Sequence, residues 1–319
     1  VSALGETLAV QVAGLRLEAQ GVISLELRAL DGAVLPAWAP GAHIDLLLPS
    51  GLVRQYSLCG DPQQRRSLRI AVLLEANGRG GSREVHGALR LGQQLAIRGP
   101  RNAFPMQAGE AYLFVAGGIG VTPIMAMAQA AQRVGADWQM LYGGRSRHSM
   151  AFIDELQAMG AGRVEVVPMD EVGLLDLDAV VAAARAGRQV YSCGPAALLD
   201  ALTARFAEAG LLERLHLERF TPVQVPVEQG GEALTVILAR SGTQLQVPPG
   251  CTIMAALRAA GHEVASSCEQ GVCGMCETRV LDGVPDHRDM LLSESERARG
   301  NVMMLCVSRA LTPTLTLDL

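Results

Sequence analysis

Four cysteines constrain this chain more than any other feature: Cys268, Cys273, Cys276 and Cys306, spaced C-x4-C-x2-C-x29-C. Three thiols on one short loop, with a fourth from a distant segment, form the ligand pattern of a plant-type [2Fe-2S] centre. Four thiolates that converge on one cluster force the backbone between them to bend sharply. Gly271 and Gly274 supply the φ freedom for that bend. A zinc site would ask for two short C-x2-C pairs, and one is present. A set of buried or disulfide-bonded thiols is the remaining alternative.

A chain of 319 residues holds two or three domains. Aromatic residues are only 3%, so Leu, Val, Ala and Met must fill the cores. A net charge of −5 argues against non-specific nucleic-acid binding. Removing the four candidate ligands leaves Cys59, Cys193 and Cys251, an odd remainder that fits a reducing compartment better than a disulfide framework. Val1 to Val10 has no basic leader pattern. The apolar run Ala111 to Ala131 is broken by Gly117-Gly118, Gly120 and Thr122-Pro123, and reads as strand, turn and helix rather than a membrane span. The expectation is a cytoplasmic protein with no membrane segment.

Short apolar runs at Val22–Leu27, Ile44–Leu48 and Leu68–Leu74, separated by Gly and Pro turns, predict a small antiparallel β-barrel over 1–105. Ser82 is placed to cap a helix running to Leu89. From 106 to 222 strands and helices alternate, which implies an α/β doubly wound parallel sheet. Residues 223–231, rich in Pro and Gly, read as a linker, and 232–319 as a compact α+β ferredoxin-like unit bearing the cysteines.

Four further motifs carry chemistry. Arg54-Gln55-Tyr56-Ser57 follows a barrel strand and offers a cation for phosphate, a flat ring and a hydroxyl. Gly78-Arg79-Gly80-Gly81-Ser82 can form an anion nest at a helix start. Gly117-Gly118-Ile119-Gly120-Val121-Thr122-Pro123 has the strand–turn–helix context of a dinucleotide site without the usual fingerprint. Cys193-Gly194-Pro195 sits where a parallel strand ends, the edge at which ligands collect. Each also has a plain reading as a turn or as packing.

In this order, with Glu218-Arg219-Phe220 and the cysteines last, the motifs resemble the phthalate dioxygenase reductase family, including vanillate demethylase and phenoxybenzoate dioxygenase reductases. The resemblance spans essentially the whole chain. It implies an FMN barrel, an NAD(P)H domain and a [2Fe-2S] ferredoxin domain. By it, Arg54, Tyr56 and Ser57 hold flavin, and Arg79, Gly80, Gly81 and Ser82 hold its phosphate. Gly118, Gly120 and Thr122 receive the pyridine nucleotide. Cys193, with Gly194 and Pro195, lies near the nicotinamide, and Glu218 and Phe220 border nicotinamide and flavin. Ser57, Cys193, Glu218 and Phe220 are the catalytic candidates. The resemblance favours NADH, while Arg145 and Ser146, in Gly143-Gly144-Arg145-Ser146-Arg147, could receive the 2′-phosphate of NADPH.

These parts form a logical set. A flavin takes two electrons and gives them up singly, which matches a hydride donor to a one-electron cluster. No general base is required, so the six histidines are read as surface or satisfied core residues. Plant-type clusters sit at roughly −400 mV, which suits passing electrons on. The expected acceptor is the Rieske centre of a terminal oxygenase, met transiently by a monomer, with Glu269 and Glu277 orienting it. Two alternatives stand: an electron-transfer subunit like that of dihydroorotate dehydrogenase, disfavoured by the x29 gap, and a non-enzymatic redox sensor or carrier.

Overall fold

Leucine and β-branched residues at alternating positions give the first hundred residues six antiparallel strands. They are β1 (Thr7–Ala19), β2 (Val22–Ala29), β3 (Ala42–Leu47), β4 (Val53–Ser57), β5 (Leu68–Leu73) and β6 (Gln94–Asn102), with helix α1 (Gly81–Ala88) before the last. The strands order β4-β3-β6-β1-β2-β5. A bridge from Leu58 to Ile70 joins the two outer strands and curls the sheet toward a barrel. Val10, Leu25, Leu27, Ile44, Leu46, Ile70 and Ile97 point into its core. Each such side chain contributes roughly 1.5–3 kcal/mol on burial. The computed structural model describes residues 7–76, 78, 80–220, 233–266, 269, 271, 274–289, 291, 292 and 294–319.

Arg54-Gln55-Tyr56-Ser57 follows strand β3, as its sequence suggested, and itself forms most of strand β4. It pairs with β3 in the register His43–Ser57, Ile44–Tyr56 and Leu46–Arg54. Polar residues hid a strand whose order comes from ladder pairing with an apolar neighbour.

The α/β region follows as β7 (Ala111–Gly117), α2 (Val121–Arg133), β8 (Asp137–Gly144), α3 (Ile153–Met159), β9 (Val164–Pro168), α4 (Met169–Val172), α5 (Leu177–Arg185), β10 (Gln189–Cys193), α6 (Ala196–Ala209) and β11 (Leu215–Glu218). The parallel order is β11-β10-β7-β8-β9. Side chains alternate across β7. Tyr112, Phe114 and Ala116 face α2, whereas Leu113 and Val115 face α5 and α6. The order reverses beside β7, so a crevice opens at the carboxyl ends of β7 and β10. The apolar run 111–131 is thus a buried strand, a turn and a helix. No helix among the described residues is long and apolar enough to cross a membrane.

Contacts divide the molecule into two compact units, the first ending at Phe220 and the second running to Leu319. The barrel and the α/β sheet share the first unit because Val22, Cys59, Ala71 and Phe104 join the core built around α2. Arg69 reinforces the joint. It forms a two-point ion pair with Glu155 (2.8 and 3.0 Å), and its guanidinium lies 5.2 Å from the centre of the Phe152 ring.

The second unit contains β12 (Leu234–Leu238), β13 (Gln244–Val247), α7 (Ile253–Ala259), β14 (Glu277–Asp282), β15 (Pro285–Asp286), α8 (Glu294–Arg299), β16 (Val302–Met304), β17 (Arg309–Ala310) and β18 (Thr314–Leu317). Its mixed main sheet orders β13-β12-β18-β14-β16. Thr252 caps α7 by accepting the Ala255 N–H at 3.1 Å. Val236, Ile253, Leu257, Met304 and Leu315 form its core, beside Cys276 and Cys306. The expected linker 223–231 lies outside the described residues.

Candidate functional site

The crevice at the end of the parallel sheet is closed by two glycine turns that interlock. A Cβ at Gly120 would sit 2.2 Å from the Cys193 carbonyl oxygen, and one at Gly117 would sit 2.6 Å from Pro195 Cδ. Gly194 packs as tightly, since its Cβ would lie 3.0 Å from Gly117 Cα. Close backbone approach therefore dictates these glycines, independently of any ligand. Gly118 differs: at φ 54° its missing side chain faces open space. Thr122 is buried, and its hydroxyl donates to the Ile119 carbonyl at 3.0 Å, closing the turn from within.

Three of the four catalytic candidates meet here. Cys193 and Glu218 are direct partners in the parallel pairing of β10 with β11. Ser57, arriving from the barrel, donates from Oγ to Glu218 Oε2 at 3.5 Å. Burial pushes the Glu218 carboxyl up to about 8, against a smaller downward pull from Ser57. At neutral pH the carboxyl therefore holds a proton. Burial, with Glu218 second, also pushes the Cys193 thiol well above its ordinary value, so it is a neutral packing group rather than a thiolate. Phe220, the fourth candidate, is 40% exposed at the end of this unit. Its neighbour Arg219 pairs with Asp200 at 2.8 Å.

One residue at this site escaped the sequence reading. His43 lies opposite Ser57 in the β3–β4 ladder and is buried. Its Nε2 has no hydrogen-bond partner among the described residues. Burial first, then Arg101, pulls its pKa down to about 4, so it stays neutral. Only strand register reveals this neighbour, since His43 and Ser57 are far apart in sequence.

The phosphate corner lies at the start of α1. Gly80 precedes the helix at φ 89°, with no side-chain cap. Ser82 is thus not the cap; its Oγ accepts the Glu75 N–H at 3.0 Å instead. A Cβ at Gly81 would fall 2.5 Å from Arg54 Nε, so this glycine seats the Arg54 side chain across the helix start. An arginine and a helix N-terminus converge there, a cradle of the right chemistry for a phosphate. Tyr56 is half-buried, and burial pushes its hydroxyl up to about 12. Arg79 lies outside the described residues.

Beyond β8, Arg145 is exposed and its carbonyl accepts the Asp170 N–H at 3.2 Å. Ser146 is held in a capping box with Ser149. Arg147 is committed to Glu171 at 3.0 Å. Arg145 is therefore the arginine of this pair better placed to meet a solvent-borne group.

In the second unit, the cysteine site is described at Cys276 and Cys306; Cys268 and Cys273 lie outside the described residues. Both described thiols are buried. The Gly271 N–H donates to Cys306 Sγ at 3.2 Å, and Gly271 and Gly274 adopt φ 71° and 75°. A backbone amide turned toward a buried sulfur fits a thiolate that ligates iron. Glu269, at φ 56°, pairs with Arg258 at 2.7 Å, which masks its charge. Glu277 is exposed on β14; its carboxyl is pushed up, first by partial burial and then by Glu296 and Asp289.

Comparison with known proteins agrees with this geometry. Residues 236–311 match the 2Fe-2S iron-sulfur cluster binding domain, and 97–214 match the N-terminal domain of dimethylamine monooxygenase subunit DmmA-like proteins. The chain is 46% identical over 304 residues to phenoxybenzoate dioxygenase subunit beta of Ectopseudomonas oleovorans, covering 94% of each. The structure of phthalate dioxygenase reductase superposes with a TM-score of 0.71 and 35% identity, across 98% of both chains.

The chain belongs to the phthalate dioxygenase reductase family.

Like that reductase, it combines a flavin-binding barrel, a nucleotide-binding sheet and a ferredoxin-like domain, and it is an oxidoreductase that uses flavin, a pyridine nucleotide and a [2Fe-2S] cluster. A type IV self-sufficient cytochrome P450 monooxygenase matches more closely in shape, with a TM-score of 0.90 and 42% identity. The match covers 98% of this chain, which spans 41% of that protein's length.

Proposed function

We propose that this chain is the reductase component of a Rieske-type aromatic-ring oxygenase or O-demethylase system. It oxidises NADH, holds FMN and a [2Fe-2S] cluster, and supplies electrons singly to the oxygenase. The observation that carries this reading is the meeting of Ser57, Cys193 and Glu218 at the crevice shared by barrel and sheet, in a chain whose second unit is a cluster-binding domain. Bound flavin accepts an electron pair and releases it one electron at a time, and a bound [2Fe-2S] centre carries one.

Residues 1–105 are assigned to FMN, 106–222 to the nucleotide and 232–319 to the cluster. Arg54, Tyr56 and Ser57 would hold the flavin, Arg54 at its phosphate end. Arg79, Gly80, Gly81 and Ser82 would hold the phosphate, Gly81 by seating Arg54. The compact corner at α1 favours a single phosphate, hence FMN. Gly118, with open space at its Cα, is the turn residue best placed to meet the nucleotide. Gly120, Thr122, Gly194 and Pro195 support the turn by packing. Burial favours the protonated form of Glu218, whose Oε2 accepts from Ser57 Oγ, and Cys193 and Phe220 shape the nicotinamide pocket. Arg145 and Ser146 would border the adenosine ribose. Cys268, Cys273, Cys276 and Cys306 would ligate the cluster.

The partner encounter is read as transient and the reductase as a cytoplasmic monomer, in line with its cysteine usage. With Glu269 masked by Arg258, Glu277 is the acidic residue left to orient an oxygenase. The similarity to the P450 monooxygenase chain favours a second reading, in which the acceptor is a cytochrome P450. Both are tested together. Anaerobically purified protein should yield extractable FMN and acid-labile sulfide, reduce ferricyanide with NADH, and drive a purified Rieske oxygenase. Turnover of a P450 but of no Rieske component would transfer the assignment to the second reading. Absence of flavin would end both.

A further inference from the structure

Against the cysteine loop lies a cluster of ionisable side chains, with those of Asp289 and His287 buried and that of Arg297 partly exposed. Asp289 is buried, and its Oδ1 accepts the N–H groups of Leu291 (3.0 Å) and Leu292 (2.8 Å). Its Oδ2 has no hydrogen-bond partner among the described residues. The His287 side chain is 8% exposed, and its Nδ1 stands 3.7 Å from that same Oδ2, with both ring nitrogens equally without partners. Arg297 closes the group. Its Nη2 donates to the Asp289 carbonyl at 2.5 Å and stands 3.9 Å from Oδ1, and its Nε donates to the Leu292 carbonyl at 2.9 Å. Glu277 feels the charge of Asp289 from the neighbouring strand, with Glu296 beside it.

This group abuts the cysteine loop. A Cβ on Gly271 would lie 3.0 Å from Asp289 Cα and 2.7 Å from Val307 Cγ2. Gly271 is also the residue whose N–H donates to Cys306 Sγ. Asp289 therefore packs against the backbone that delivers a hydrogen bond to a ligand sulfur. Carrying a buried negative charge at that place has a cost, since Oδ2 lacks a bond that a surface carboxylate would receive from water. Leu291 and Leu292 alone would be served as well by an asparagine.

We infer that Asp289 and Arg297 are positioning residues that set the reduction potential of the cluster through fixed charges of opposite sign behind the Gly271 amide. The inference rests on the assignment of Cys276 and Cys306 as cluster ligands. A negative charge near the iron opposes the arrival of an electron and lowers the potential; the cation does the reverse. Asp289 thereby keeps the cluster a ready donor to its acceptor, and Arg297 limits the effect. Neither residue is among the assigned cluster ligands, so both would act through position alone.

The test uses the full chain with its cofactors loaded, titrated electrochemically at one pH while the cluster is followed by electron paramagnetic resonance. Asp289→Asn keeps the Oδ1 acceptor and removes the charge. It should shift the reduction equilibrium about tenfold toward the reduced cluster, 59 mV for one electron. Arg297→Gln should move the potential in the opposite direction. An Asp289→Asn protein that holds iron and sulfide at wild-type levels, with an unmoved potential, overturns the inference. So do two variants that shift the same way. If Asp289→Asn cannot be loaded, Arg297→Gln decides alone: a fall supports the inference, and no change overturns it. Loss of the cluster in both variants, with the remainder folded, assigns the group a scaffolding role only and also overturns it. A wild-type chain without iron and sulfide overturns the ligand assignment itself, and the inference with it.

Discussion

The crevice at Ser57 and Glu218 and the loop at Gly271 and Cys306 solve opposite electrostatic problems. In the crevice, burial drives groups to neutrality: Glu218 holds its proton to about pH 8, His43 stays uncharged down to about 4, and Cys193 remains a thiol. Beside the loop, the buried Asp289 side chain is bonded by two backbone amides and flanked by the partly exposed Arg297. Under the proposed function a hydride passes between nicotinamide and flavin in this crevice, and a pocket of low charge suits that transfer. A one-electron centre has no proton to manage, and fixed charges can set how readily it gives its electron away. The contrast teaches that the two units handle burial by different means, with neutral groups in one and hydrogen-bonded, paired side chains in the other.

Cys306→Ser breaks the comparison most severely. It should abolish cluster loading and cut NADH–cytochrome c reduction by about a hundredfold or more, while NADH–ferricyanide activity stays within about twofold of wild type, because the crevice is built in the other unit. Loss of both activities would show that the ends are not separable. Gly120→Ala attacks the crevice instead. Its Cβ would meet the Cys193 carbonyl at 2.2 Å, and backbone cannot move aside as a side chain would. Thermal or denaturant unfolding should show a loss of about 2–3 kcal/mol or more, with the iron and sulfide content unchanged.

Glu218→Gln sharpens the comparison through pH. The carboxyl titrates near 4.5 when unfolded and near 8 when folded. Because its folded value is raised, its contribution to stability is fully present below pH 4.5 and is lost as pH rises toward 8. Unfolding measured across this window should flatten in the glutamine variant. The pH profile of flavin reduction by NADH should lose its inflection near 8. An identical profile in variant and wild type would remove Glu218 from the proton-holding role. The smallest effect is expected at the surface. Glu277→Lys should slow oxygenase-coupled turnover about twofold to fivefold at low ionic strength and not at all at high salt. A slowing that persists at high salt would point to packing rather than steering.

Much of the architecture could be read from residue order. The apolar runs Val22–Leu27, Ile44–Leu48 and Leu68–Leu74 appear as β2, β3 and β5, with bounds shifted by no more than about two residues. β1 and β6 left no mark because their alternation is interrupted: β1 carries bulges between Val12 and Gly14 and between Leu17 and Ala19. β4 was hidden by its polar residues. At the crevice, the motifs carrying Ser57, Cys193 and Glu218 meet because each ends a strand, β4 of the barrel sheet for Ser57 and β10 and β11 of the parallel sheet for the other two. The tight packing of Gly117, Gly120 and Gly194 was not legible, because a glycine serving a ligand and one serving a neighbouring backbone look alike in sequence. Asp289 and His43 were invisible for a related reason. A charge or an imidazole in a polar stretch reads as surface, and only tertiary packing shows it to be buried.

The central claim is that electrons enter this molecule as pairs and leave singly. Anaerobic titration of the loaded protein with NADH, followed by visible absorbance and electron paramagnetic resonance, tests it most directly. Uptake of about three electrons per chain, two at flavin and one at iron, is the predicted result. An endpoint at two electrons, with no signal from a reduced cluster, would contradict it.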